Sequence, residues 1–114
     1  IKFAKAGCHL YDISAAVQEY VEKNGFGVVR DYVGHGIGRK MHEDPAIPNY
    51  KQIGRAPKLL KGMCLAIEPM VTAGTYELKV LDDDWTAVTL DGKNAAHYEN
   101  TVYVTDGEPE ILTL

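Results

Sequence analysis

Two histidines stand out in the sequence as side chains that could do chemistry. His35 lies inside a glycine-rich run, residues 34–38 (GHGIG), and His42 follows seven residues later. Three glycines in five positions cost backbone entropy and remove side-chain packing, so the run needs a physical reason. One reason is a backbone that passes close to a ligand at which the imidazoles point. His35 is therefore a candidate ligand; the alternative is a core histidine hydrogen-bonded to backbone.

Two glutamates are candidate partners for these histidines. Glu68 ends an apolar segment, residues 64–67, where a carboxylate is costly unless it is paired or metal-bound; the alternative is a strand end that turns to solvent. Glu99 lies in an alternating segment in which His97, Glu99 and Thr101 share one face. Such a face suits a metal ligand with a supporting histidine, and equally a solvent-facing polar stripe.

His35, Glu68 and Glu99 together offer nitrogen and oxygen ligands that suit Mn, Fe(II), Co or Zn. Two other kinds of site fail on spacing. No second histidine follows His42 at the spacing of a zinc-protease helix, and the GxGxG run leads into a proline-bearing loop instead of the helix of a dinucleotide site. The residues alone predict an incomplete metal site.

Length and composition favour a single cytoplasmic domain. The net charge of −4 comes without any basic run, which disfavours nucleic acid as a partner. No apolar run approaches the roughly 20 residues that cross a membrane, and no secretory signal is visible. Cys8 and Cys64 predict buried free thiols in preference to one disulfide. Because the first residue is Ile1, we expect a processed product or a piece of a longer chain.

One helix precedes the strands that must position these residues. Residues 1–6 predict the tail of an upstream helix, and residues 13–24 predict a helix with Asp12 or Ser14 as N-cap and a left-handed cap at Asn24-Gly25. Its apolar stripe consists of Ile13, Val17, Tyr20 and Val21.

Strands fill most of the remaining chain. The predicted strands are residues 28–33, 64–68, 76–81, 85–90, 97–104 and 111–114. Residues 76–81 and 85–90 form a hairpin, and three prolines predict an irregular loop over residues 44–58. One helix followed by mostly antiparallel strands gives the α+β class.

Four motifs in this order resemble the type I methionine aminopeptidase family. They are GHGIG (34–38), MHEDP (41–45), IEPM (67–70) and YENT (98–101). No large insertion separates His42 from Glu99, which favours type I. The resemblance implies the pita-bread fold and a metal-dependent enzyme that removes the N-terminal methionine of nascent proteins and peptides.

The resemblance also implies a role for each residue of the candidate site. His35 and Glu68 would ligate one of two divalent metal ions (Co, Mn, Fe or Zn), and Glu99 would bridge both. His42 would hydrogen-bond the scissile carbonyl or its tetrahedral intermediate. Glu68 would also move a proton from the attacking water, whose pKa the metals lower.

Three further positions and one departure follow from the same resemblance. Met41 and Trp85 would line the pocket for the substrate methionine, and His97 would support a ligand without binding metal. The family's two aspartate ligands come from the first half of its fold, and no aspartate pair here can replace them. Residues 1–114 therefore resemble the C-terminal part of one catalytic domain. We expect the missing N-terminal half of the same fold to be their partner, and we expect these residues to be inactive alone.

Two alternatives belong to other classes. A non-catalytic binding module could reuse the fold, although such proteins usually lose ligands that this chain retains. The half fold could also pair with itself or with a separate first-half chain, because it would expose a large apolar face.

Overall fold

The computed structural model describes residues 1–113 and contains one helix and ten short strands within them. Helix α1 spans Leu10–Lys23, and no helix of the described residues is long and apolar enough to cross a membrane. The strands are β1 (Gly27–Val28), β2 (Gly34–Gly36), β3 (Glu43–Ile47), β4 (Cys64–Ile67), β5 (Met70–Thr72), β6 (Leu78–Val80), β7 (Ala87–Thr89), β8 (Ala95–His97), β9 (Asn100–Tyr103) and β10 (Glu110–Ile111). The predicted α+β class is confirmed.

The strands form two larger sheets and one hairpin, and every strand pair is antiparallel. One sheet has the order β10-β9-β4-β2-β3 and the other has the order β1-β5-β8, while β6 pairs with β7. The chain passes from one larger sheet to the other between β1 and β2, between β4 and β5, and between β8 and β9. We call these three places the sheet switches.

Sheet switches break two of the predicted strands. The segment 97–104 is not one strand, because Tyr98 and Glu99 leave the ladder of the three-stranded sheet before β9 joins the five-stranded one. The segment 28–33 is likewise interrupted after Val28. Of the predicted final strand over residues 111–114, only Ile111 belongs to a strand, as the second residue of β10, which pairs with β9, and Leu114 lies outside the described residues.

Other predictions about single elements meet different outcomes. The predicted hairpin is confirmed with shorter strands. The predicted loop over 44–58 instead begins with β3, in which Pro45 is tolerated because β3 is an edge strand and the register shifts beside it. The free thiols Cys8 and Cys64 are half-buried, where buried thiols were predicted.

Helix α1 begins three residues before the predicted start, and neither Asp12 nor Ser14 is its N-cap. The N-cap is His9, whose backbone N–H donates to Asp12 Oδ2 at 2.8 Å, so Asp12 acts from within the first turn. The left-handed cap at the other end is confirmed, since Gly25 has φ 82° and its N–H donates to the carbonyl of Glu22.

One apolar core joins α1 to the five-stranded sheet. Its buried members are Ala4, Leu10, Ile13, Ile47, Leu59, Leu65, Ile67, Val102 and Val104. Tyr20 was wrongly placed in the apolar stripe, because its side chain is 74% exposed. Residues 1–6 do not form a helix tail either; they make turns, and the N–H of Ala6 donates to the carbonyl of Thr105.

The glycines of the GHGIG run allow neighbouring strands to approach β2. A Cβ atom on Gly34 would lie 2.3 Å from the backbone oxygen of Ala66 in β4, and one on Gly36 would lie 2.2 Å from that of Asp44 in β3. Side chains alternate along a strand, so His35 projects to the opposite face. The glycines of the run therefore allow close strand packing. The sequence alone suggests a different reason for them, a backbone that passes close to a ligand.

Replacing Gly34 with alanine should destabilise the protein strongly. The new methyl group would meet a backbone oxygen that no rotamer change can move, and overpacking of this kind costs about 1–3 kcal/mol or more. Urea unfolding of Gly34→Ala would measure the loss. Gly107→Ala is the matched control, because its Cβ would meet its nearest neighbour at 4.0 Å. Equal unfolding midpoints for the two variants would contradict the packing role.

Candidate metal centre

Three predicted ligands lie together although they are far apart in the sequence. His35 lies in β2, Glu68 follows β4 and Glu99 precedes β9. One possible ligand atom from each lies within 4.8 Å of those of the other two. The side chains of His35 and Glu68 are only 14% and 16% exposed, whereas Glu99 lies at the surface. Their binding of metal stays a prediction, but the convergence it requires is present.

His35 presents an acceptor nitrogen to this cluster. Its Nδ1 lies 2.8 Å from the carbonyl oxygen of Gly36, which can only accept, so Nδ1 carries the proton. In a neutral imidazole Nε2 is then unprotonated, and it lies 3.2 Å from Oε1 of Glu68, another acceptor. Two acceptors at this distance repel each other unless a proton or a cation lies between them. A shared proton would make the pair an ordinary ion pair, and a divalent cation would bind both atoms, since imidazole nitrogen and carboxylate oxygen are ordinary ligands for it.

The second oxygen of Glu68 contacts His97. The distance from His97 Nε2 to Glu68 Oε2 is 3.2 Å, so an Nε2–H group there donates to the carboxylate. Each oxygen of Glu68 thus faces one imidazole. Hydrogen bonds of this kind orient carboxylate ligands around metals.

His42 lies beside His35 in the loop that joins β2 to β3. The two ring centroids are 4.3 Å apart at an interplanar angle of 53°, and both residues line an open groove of about 650 Å³. Glu43 closes the loop, since its Oε1 accepts the backbone N–H of Lys40 at 2.8 Å. His42 can therefore reach a group bound in the groove beside the three predicted ligands.

The structure does not bring the two predicted pocket residues into this groove. Met41 is 72% exposed in the β2–β3 loop, and Trp85 is 85% exposed at the tip of the β6–β7 hairpin. Their role in substrate binding stays a prediction. Sequence reasoning also missed Asn49, a buried residue whose side chain contacts the backbone of Glu68.

Comparison with known proteins places this arrangement in a family. The profile of metallopeptidase family M24 matches residues 1–106. The chain belongs to metallopeptidase family M24. It is 63% identical over 114 residues to a methionine aminopeptidase of Clostridium acetobutylicum, a match that covers all of this chain and 46% of that protein.

Solved structures agree with this assignment to M24. A methionine aminopeptidase from Thermotoga maritima superposes with a TM-score of 0.94 at 55% identity, covering 99% of this chain and 45% of that one. An X-Pro aminopeptidase from the same species gives a TM-score of 0.67 at 26% identity, covering 99% and 26%. The resemblance to methionine aminopeptidases and the pita-bread fold are confirmed. The chain spans somewhat less than half the length of the curated relatives it matches.

Divalent cations should stabilise this M24 protein through the predicted ligands. An ion that binds only the folded state adds about 2.7 kcal/mol at 100 times its dissociation constant, so Co(II) or Mn(II) should raise the melting temperature. His35→Ala should remove most of that rise, because it removes the nitrogen of the predicted ligand set. His9→Ala is the control, since His9 lies at the start of α1. An equal rise in the His35→Ala protein would count against the site.

The carboxylate of Asp83 orders the hairpin tip next to Trp85. It accepts the hydroxyl and backbone N–H of Thr86 and the backbone N–H of Trp85. These hydrogen bonds hold the pKa of Asp83 below its ordinary value, and the bond from the Thr86 hydroxyl contributes most. The hairpin tip is therefore fully ordered at pH values above the ordinary aspartate pKa. The order is lost as the pH falls through the lowered pKa of Asp83.

An NMR titration of the Thr86 amide can test this order at the tip. Its resonance should stay in place as the pH falls to about 4, the ordinary aspartate pKa, and should shift only below it. Asp83→Asn should abolish the transition, and Asp82→Asn should leave it unchanged. A midpoint at or above the ordinary value would show that the bonds do not form in solution.

Proposed function

We propose that the chain is the C-terminal part of the catalytic domain of a methionine aminopeptidase. The whole protein would be a cytoplasmic enzyme that removes the N-terminal methionine from nascent proteins and peptides. The observation that carries the proposal is the convergence of His35, Glu68 and Glu99, with His42 beside them. The methionine aminopeptidases that match the chain at 63% and 55% identity support the same activity.

The centre would hold two divalent ions, Co, Mn, Fe or Zn. His35 and Glu68 would hold one ion, and Glu99, exposed at the rim, would reach both. Bound divalent ions lower the pKa of water, which makes hydroxide available near neutral pH. A dinuclear site needs more ligands than the three residues of this cluster offer. Two aspartates from the other half of the domain would complete it.

The chain's own residues would perform the remaining steps. Glu68, with one oxygen facing each imidazole, would take the proton of the attacking water and pass it to the leaving amine. His42 would donate a hydrogen bond to the scissile carbonyl oxygen as negative charge develops on it. His35 links the two residues, since it contacts the Glu68 carboxylate on one side and the His42 ring on the other.

Exposed apolar side chains support the proposal that another part of the domain covers this chain. A groove of about 940 Å³ separates the β6–β7 hairpin from β5 and β8, and its lining includes the half-buried Met70 and Leu78 and the exposed Leu90. Met41 and Trp85 would form the methionine pocket once such a segment packs beside them. The presence of all four candidate catalytic and ligand residues weighs against a non-catalytic binding module, since such proteins usually lose ligands.

Peptide hydrolysis tests the proposal. The full-length protein should cleave Met-Ala-Ser with Mn(II) or Co(II), and Glu68→Gln should abolish the cleavage. His42→Ala should lower kcat by about 10²–10³-fold while metal still binds, because it removes one hydrogen-bond donor to the developing charge. Glu19→Gln, on the exposed face of α1, is the control for a lost carboxylate. Residues 1–114 alone should be inactive, and cleavage by them would refute the need for further ligands.

A further inference from the structure

We infer that Asn49 is a positioning residue that fixes the backbone of Glu68 and so aims its carboxylate. The inference rests on the proposed metal centre and concerns how that centre is built. Asn49 is 1% exposed, and its Nδ2 donates to the carbonyl oxygen of Glu68 at 3.3 Å. It lies 19 residues before Glu68 in the chain, just after β3.

Glu68 needs such a partner because it lies at a sheet switch. Strand β4 ends at Ile67 in one sheet and β5 begins at Met70 in the other, so Glu68 and Pro69 belong to neither ladder. Pro69 has no N–H to donate. Backbone carbonyls in partly buried positions need hydrogen-bond donors, and the side chain of Asn49 supplies the one that a neighbouring strand would otherwise give.

Fixing this carbonyl constrains the direction of the Glu68 side chain. A residue outside a ladder has no strand partner to fix its φ and ψ within the extended region that a following proline leaves open, and its Cα–Cβ bond turns with the peptide plane. Metal sites need their ligands held to about 0.5 Å. Here the two carboxylate oxygens each lie 3.2 Å from an imidazole nitrogen, on His35 and His97, so a small rotation would break both contacts.

Stability alone does not account for an asparagine at this position. Its Oδ1 is buried and has no hydrogen-bond partner among residues 1–113, which lowers stability. Leucine has a similar shape and no polar atom. In Asn49→Leu, removal of the unpaired Oδ1 would offset part of the cost of the lost hydrogen bond. The free energy of unfolding should therefore change little, while the orientation of the Glu68 carboxylate is lost.

Calorimetric titration of the metal-free, full-length protein with Mn(II) tests the inference. We expect Asn49→Leu to bind about 10–100-fold more weakly than wild type, the usual effect of removing a group that orients a ligand. The visible absorption of the Co(II) form should change as well. Ser14→Ala is the matched control, because Ser14 Oγ is the other buried side-chain atom without a partner in the described chain. Its affinity should stay within twofold of wild type.

A measurement without metal separates positioning from general stability. The N–H of Tyr98 donates to the carbonyl of Pro69, next to Glu68, at 3.3 Å. Amide exchange of Tyr98 should be faster in Asn49→Leu and unchanged in Ser14→Ala. If Asn49→Leu does not fold, Asn49→Ala, which also lacks the donor, should show both effects.

The outcomes distinguish this inference from the proposed function. Wild-type protein that binds neither Mn(II) nor Co(II) would overturn the metal centre and this inference with it. Wild-type protein that binds metal, with equal affinity in a folded Asn49 variant, would overturn the positioning role alone.

Discussion

The candidate site depends on the three sheet switches. A residue that leaves a β-ladder loses its backbone partners and is released from the alternation that fixes side chains in a strand. Glu68 and Glu99 occupy two of these gaps, and His35 lies in β2 directly after the third. Because all three switches join the same two sheets, the side chains beside them face one small volume. The predicted metal ligands come together for the same reason that the strands are interrupted.

Close packing around β2 holds this volume in place. Strand β2 pairs with β3 on one side and β4 on the other, and its two glycines leave no side chain between the backbones on that face. His35 is then the only non-glycine residue of β2, and its Nδ1 is bound to the next carbonyl in the chain. The site thus combines the His35 nitrogen, held by its hydrogen bond, with two carboxylates that lie at sheet switches. Of these two, the Glu68 carboxylate contacts side chains of β2 and β8.

Much of this could be predicted from local patterns. Residue type and spacing predict α1, the β6–β7 hairpin and the convergence of His35, Glu68 and Glu99. The alternation over residues 97–104 places His97, Glu99 and Thr101 on one face; of the residues between and after them, Asn100 and Val102 are buried but Tyr98 is exposed. Alternation, however, reports only which face is buried and says nothing about which sheet a strand joins. The break at Tyr98 and Glu99 therefore leaves no signal in the sequence.

Long-range contacts explain the other differences. Pro45 predicts a loop, but pairing with β2 makes its segment a strand. His9 has no strong capping preference, yet it bridges to Lys58, and the N–H of Leu10 donates to the carbonyl of Pro57, so distant residues fix the start of the helix. Asn49 follows Pro48, and this local sequence is typical of a turn. Its hydrogen bond to Glu68 spans 19 residues, so the local sequence does not reveal it. Each of these outcomes depends on a partner that no short window of sequence contains.

The composition of β3 has a consequence for how the molecule meets other polypeptides. This strand forms one edge of the five-stranded sheet within the described residues, next to the groove of His42. An open edge is a template on which extended chains add as further strands and aggregate. Glu43 and Asp44 bring negative charge to this edge, and Pro45 removes one donor from it. Within the described residues, this edge therefore resists the addition of a further strand.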